Sequence, residues 1–166
     1  DFQDLKGVTA VMNFKQNHLE LLYPDEESRV LQKTADNKKG EIVINLATLP
    51  GKMLFDKESF EVKAGKTVSI LFDNKDQMPH NVLILEPGAS EKVGVAADNM
   101  ASLEDGYEKN FVPDLKEVLF FTPLVNSNQV FQLDFTAPDK PGDYPFICSF
   151  PGHWRMMKGV MRVTEN

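Results

Sequence analysis

The stretch Tyr144-Pro-Phe-Ile-Cys148-Ser-Phe-Pro-Gly-His153-Trp-Arg-Met-Met157-Lys-Gly159 decides how this chain is read. Tyr144, Phe146 and Cys148 fall on alternate positions, so they share one face of a strand. Pro151-Gly152 forces a tight turn after it, and Gly159-Val-Met-Arg-Val-Thr164 reads as the next strand. The segment joining the two carries a thiol at 148, an imidazole at 153 and thioethers at 156 and 157. A loop of that length can fold Cys148 and His153 onto one ion. A second imidazole stands at His80, in Met78-Pro79-His80-Asn81, at the start of a buried strand.

Period-two alternation recurs upstream. Ile42, Ile44 and Leu46 share a face; Ser59-Phe-Glu-Val-Lys-Ala64 ends at the turn Gly65-Lys66; Val68, Ile70 and Phe72 line one side of Thr67–Phe72. Asn81-Val-Leu-Ile-Leu85 is closed by Pro87-Gly88, and Phe131, Leu133 and Phe135 alternate before Pro138-Asp-Lys-Pro-Gly142. Short strands separated by turn signals predict an all-β antiparallel sandwich or barrel. One segment looks helical. Glu91–Leu103 follows Ser90, a candidate N-cap, and holds good helix formers such as Ala96, Ala97, Met100 and Ala101, with Gly94 counting against it. It lies in a long connection spanning roughly residues 88 to 128, and long connections in compact domains usually cover something or serve a function.

Residues 1–40 form a separate part. Gly7–Phe14 and Leu19–Tyr23 read as two short strands of a hairpin, Pro24 opens a short helix reaching Thr34 with Val30 and Leu31 on its apolar face, and Ala35–Gly40 is a polar linker. This part is expected to be an extension of the main domain, residues 41–166, or the tail of a preceding domain. The chain begins at Asp1 without initiator Met, basic n-region or apolar h-region, so it is expected to be processed or cut from a longer one.

Composition excludes several function classes. With 166 residues, 42% of them apolar and twelve of them Phe, the chain has ample material for a packed core. The longest apolar runs, such as Val118-Leu-Phe-Phe121, fall far short of the ~18 residues that cross a bilayer. A net charge of −7 disfavours nucleic-acid binding, which needs a positive surface to displace phosphate counterions. The charge is uneven: Cys148–Val163 carries Arg155, Lys158 and Arg162 with no acid, whereas acids dominate from Glu86 to Glu117. The basic stretch is either a rim that steers a partner or an ordinary solvated surface.

With one Cys the chain forms no internal disulfide, and that thiol is a buried small hydrophobe, a reactive group or a metal ligand. Singly, a lone Cys in a strand is more often core than ligand, and a lone His more often an ordinary polar residue. Jointly the reading reverses, because the only Cys lies five residues before one of only three His. Two imidazoles and one thiolate in a plane, with a long axial thioether, make the ligand field of a blue-copper site. The remaining histidine, His18, has no evident partner ligand.

The sequence also resembles a known family. Cys148-Ser-Phe-Pro-Gly-His153-Trp-Arg-Met-Met157-Lys-Gly is similar to the C-terminal copper loop of the azurin- and auracyanin-like cupredoxins: Cys, four residues, His, three residues, Met. Pro79-His80-Asn81-Val82 resembles the upstream His motif of plastocyanin-like members. The likeness spans about residues 41–166. It implies a Greek-key β-sandwich of about eight strands, a helical flap near Glu91–Leu103, and one type 1 copper ion held by His80, Cys148, His153 and Met157, with Met156 as a packed neighbour. In azurin a Gly carbonyl precedes the first His and approaches the metal from the far side; here that position is Pro79. Asn81 is placed to tie the two ligand loops together, and the backbone N–H groups of Asn81 and Phe150 are placed to donate to the Cys148 sulfur, which raises the reduction potential. Trp154 and Arg155 are candidates for the partner surface next to His153, Trp154 being equally compatible with packing inward.

The function this implies is one-electron transfer between Cu(I) and Cu(II) with a redox protein, a cytochrome or an oxidase or reductase, in the periplasm or another exported location. A copper module of a larger redox enzyme and a copper storage or delivery protein are the alternatives. An enzyme built from this chain alone is disfavoured, since one His remains for a catalytic copper centre once two are spent.

Overall fold

The computed structural model describes residues 9–13, 18–22 and 41–165 of the chain. The helix and linker expected over residues 24–40 lie outside the described residues. The strands are β1 (Thr9–Asn13), β2 (His18–Leu22), β3 (Ile42–Leu49), β4 (Leu54–Phe55), β5 (Ser59–Lys63), β6 (Thr67–Asn74), β7 (Leu83–Leu85), β8 (Val118–Phe121), β9 (Gln129–Thr136), β10 (Gly142–Ile147) and β11 (Lys158–Thr164). Helix α1 (Ser90–Met100) lies between β7 and β8.

Two sheets form, in the orders β2-β1-β9-β6-β3-β4 and β5-β11-β10-β7-β8. Their inner faces make one core. Leu46, Val68, Ile70, Phe72, Phe131 and Leu133 meet Val62, Ile84, Phe146, Met161 and Val163 across it, all nearly or fully buried. Phe146 anchors the centre, edge-on to Phe55 at 5.2 Å and stacked on Phe60 at 5.3 Å. A methyl at Gly159 would overlap the Phe146 ring, so the close passage of β11 over that ring needs glycine there.

The sheets are mixed where antiparallel pairing is expected from the sequence. β3 pairs with β6, and β5 with β11, in parallel. Alternation reports which side of a strand is buried and is blind to the direction of its neighbour. Between β3 and β6 the chain leaves for the other sheet through β5 and returns running the same way. The connection expected to run from 88 to 128 contains a strand, β8, whose four residues are all half-buried and show no alternation. With the two-residue β4, this makes nine strands after residue 41, where about eight are expected.

β7 is buried on both faces, and this positions the site. Ile84 points into the sandwich core, while Leu83 and Leu85 join Ala89, Val93 and Ile147 in a second apolar cluster beneath α1. A strand covered on both sides reads as a continuous apolar run. α1 starts one residue earlier than the cap assignment predicts: Ser90 is its first residue, and Ala89 occupies the cap position without a side-chain bond. The chain enters the helix directly from the turn at Gly88, where Ala89 N–H donates to the Glu86 carbonyl at 3.1 Å.

Candidate metal centre

Two loops at one end of the sandwich bring His80, Cys148 and His153 together. His80 precedes β7 and is pinned by its backbone, its N–H donating to Val125 O at 3.1 Å and its carbonyl accepting from Val125 N at 2.8 Å. Cys148 follows the last residue of β10, and its N–H donates to the Met157 carbonyl at 3.0 Å. His153 opens a short 3-10 turn after Gly152, whose φ of 86° is left-handed and suits glycine. Met157 N–H donates to the His153 carbonyl at 2.8 Å. The two strands that flank this loop are adjacent in one sheet, so strand pairing sets the loop's span.

The geometry is tight. Cys148 Sγ lies 3.7 Å from His80 Nδ1 and 3.8 Å from His153 Nδ1, and the two Nδ1 atoms are 3.3 Å apart. His80 and Cys148 are fully buried and His153 is 6% exposed. Burial lowers the pKa of both imidazoles; repulsion between the two rings adds to this at His153, and Asp76 works the other way on each. Both rings are therefore neutral near pH 7, with lone pairs available. Burial pushes the Cys148 thiol up to about 12, against N–H donation from the backbones of Asn81 and Phe150. Two neutral imidazoles and one thiol facing each other offer more lone pairs than protons, so hydrogen bonding among them leaves donor electrons unengaged. A soft, positively charged ion among them engages all three and draws the proton from the sulfur. The donor set thus fits one copper ion. Met157 is fully buried and its backbone is bonded to His153 and Cys148, whereas Met156 is 58% exposed.

The surroundings fix each loop. Asn81 bridges the two ligand segments: its Nδ2 donates to Ser149 Oγ at 2.8 Å and to the Asn110 carbonyl at 2.9 Å, and its Oδ1 accepts from Ser149 N at 2.8 Å. Asn110 and Phe111 both adopt positive φ, 57° and 52°, an uncommon choice for a bulky residue. The bend presents the Asn110 carbonyl to Asn81 and the Phe111 ring to Phe150 at 5.3 Å, and Phe150 in turn lies 4.7 Å from the His153 ring. Pro79 is half-buried.

Trp154 turns inward. Its indole packs on α1 at Gly94, where a methyl would overlap the ring, and its Nε1–H donates to Asp98 at 3.0 Å. Asp98 also accepts from Gly152 N at 2.6 Å and pairs with Arg155 at 2.8 Å, while the Arg155 guanidinium lies over the indole at 4.4 Å. Burial raises the Asp98 carboxyl, but the donors Trp154, Gly152 and Arg155 outweigh it and hold the group below the ordinary range. Gly94 weakens the helical reading of the sequence for the same reason that it is needed: the indole occupies the place of its side chain. Arg155 and Arg162, two cations of the basic stretch, are both ion-paired.

Sequence reasoning missed Asp76 and Asp98. Asp76 Oδ2 accepts from His80 Nε2 at 3.1 Å, and both residues are buried. Asp76 Oδ1 accepts from Gly51 N at 3.1 Å and Gln77 N at 2.8 Å. Its backbone N–H donates to Thr48 Oγ1 and Asn74 Oδ1, each at 3.0 Å, and Thr48 Oγ1 donates to Asn74 Oδ1 at 3.0 Å. No spacing motif marks either aspartate.

Comparison with known proteins agrees with this geometry. A model of copper-binding proteins of the plastocyanin/azurin family matches residues 43–164. Auracyanin-A of Chloroflexus aurantiacus is 33% identical over 127 residues, covering 75% of this chain and 76% of that protein. Azurin of Pseudomonas denitrificans is 35% identical over 118 residues, covering 66% of this chain and 89% of that protein. The solved structure of auracyanin A, a blue copper protein from a green thermophilic photosynthetic bacterium, superimposes with a TM-score of 0.68 at 31% identity, over 75% of this chain and 100% of that one.

Proposed function

This chain belongs to the plastocyanin/azurin family of copper-binding proteins, and from that premise we propose that it is a one-electron carrier in which His80, Cys148, His153 and Met157 would hold a type 1 copper. The observation that carries the reading is the convergence of three ligand atoms from three buried residues, all within 4.8 Å of one another. Bound copper supplies the Cu(I)/Cu(II) couple. The protein's part is to hold the ligands in one arrangement for both charge states, so that little reorganises on electron transfer. The His80 backbone bridge to Val125 and the Asn81 bonds to Ser149 serve that end. Burial of Met157 and exposure of Met156 support Met157 as the thioether that would contact the ion.

His153 is the one of the three ligand candidates that reaches solvent, which supports its edge as the place where electrons enter and leave. Exposed Met156 and Arg155, with half-buried Trp154 behind them, border that edge and form the surface offered to a redox protein. The family match over residues 43–164 supports residues 41–166 as the copper-binding unit and 1–40 as an extension. Kinship with azurin and auracyanin supports an exported, periplasmic-type location, and no helix of the described residues is long and apolar enough to cross a membrane.

An absorption spectrum after addition of Cu(II) and a mild oxidant tests the reading. An intense visible thiolate-to-copper band, lost on reduction and absent in Cys148→Ala, is expected. A protein that takes up stoichiometric copper without that band would overturn it.

A further inference from the structure

We propose that Asp76 is a positioning residue for the copper site, fixing His80 as the tautomer that donates through Nδ1 and biasing the site toward Cu(II). The inference rests on the copper reading above, and goes beyond its ligand set to a group that touches no ligand atom.

Three observations carry it. The first is chemical direction. An ionised carboxylate only accepts, so the 3.1 Å contact between Asp76 Oδ2 and His80 Nε2 places the imidazole proton on Nε2. The lone pair is then on Nδ1, the atom that faces Cys148 Sγ at 3.7 Å and His153 Nδ1 at 3.3 Å. The second is immobility. The carboxylate is held at its other oxygen by Gly51 and Gln77 N–H groups, and the Asp76 backbone is held by Thr48 and Asn74. Those bonds hold it against the ring. The third is asymmetry. His153 makes no hydrogen bond through Nε2 to any described residue, so the carboxylate acts on one histidine of the pair.

A carboxylate on the far nitrogen raises the donor strength of a metal-bound imidazole. It also places a negative charge against the far nitrogen of a buried ligand ring, where low dielectric preserves its effect. Both effects favour the more highly charged ion, so Asp76 lowers the reduction potential relative to a neutral partner. They oppose the N–H donors to Cys148, which stabilise the reduced site.

Asp76→Asn tests this, because the amide keeps an acceptor for the Gly51 and Gln77 N–H groups and removes the charge. The probe is copper itself, with the potential read by redox titration of the visible band. The Cu(I)-to-Cu(II) preference is expected to rise at least about tenfold, a shift of about 59 mV for a one-electron couple. Long-range 15N–1H NMR of the copper-free wild-type protein is a second readout that needs no variant: His80 is expected to carry its proton on Nε2. Absence of the blue band in wild-type protein would overturn the copper reading, with the NMR spectrum still reporting on the Asp76–His80 contact. A blue wild type with an unchanged potential in Asp76→Asn, or a His80 protonated on Nδ1, would overturn the Asp76 proposal alone.

Discussion

The two histidine loops are each governed by an aspartate, in different ways. On the His80 side, Asp76 bonds the ligand ring itself and sits in a buried net with Thr48 and Asn74. On the His153 side, Asp98 reaches from α1 to the Gly152 N–H, the Trp154 indole and the Arg155 guanidinium, leaving the His153 ring untouched. The first arrangement acts on what the ligand donates, the second on where the ligand loop lies. Rigidity and electronic tuning are thus separable in this site, and helix α1 serves as a strap over the loop rather than as a mere insertion.

Asn81 joins the two sides, so its loss is expected to have the largest effect. Asn81→Ala leaves the Ser149 N–H and the Asn110 carbonyl without partners; with about 1–3 kcal/mol for each buried group orphaned, a loss of about 3 kcal/mol in the copper-free protein is expected in denaturant unfolding. A loss below about 1 kcal/mol would mean that the two loops are independently braced. Gly94→Ala attacks only the strap. The added methyl overlaps the Trp154 indole, and overpacking of this kind costs about 1–3 kcal/mol. Copper release to a chelator is expected to quicken, with the potential nearly unchanged.

Acid is expected to weaken both sides together. Burial lowers His80 and His153 below the unfolded value of about 6.5. The unfolded chain then binds protons more readily, so the copper-free protein is fully stable above about pH 6.5 and loses stability as the pH falls toward the folded values, by at most about 1.4 kcal/mol per pH unit for each histidine. Unfolding midpoints measured between about pH 5 and 8 check this, and a flat profile across that range would contradict neutral buried imidazoles. The smallest effect is expected from Asp98→Asn. Its carboxylate is partly exposed and paired with an exposed guanidinium, so a loss within about 1 kcal/mol is expected, accompanied by faster copper loss in a chelator competition. If it moved the potential as far as Asp76→Asn does, the division between electronic and positional roles would fail.

Much of the sandwich is legible before folding. Alternation at Ile42–Leu46, Val68–Phe72, Phe131–Phe135 and Tyr144–Phe146 falls on β3, β6, β9 and β10, because a half-buried strand writes its buried side into every second residue. β8 is not legible in that way, since its residues are all partly covered. The ligand loop is legible because Cys148, His153 and Met157 are neighbours in the chain, where spacing alone confines them to one turn.

The sequence by itself determined the fold class, the loop that brings Cys148 and His153 together, and the type of ion such a donor set suits. Only the tertiary structure decided which strands run parallel, that Trp154 faces α1, and that Asp76 and Asp98 hold the two sides. Those contacts join residues 25 positions apart, as from Gly51 to Asp76, or 56 apart, as from Asp98 to Trp154. Local periodicity records how a segment meets the core, and it carries no trace of which distant segment will close over it.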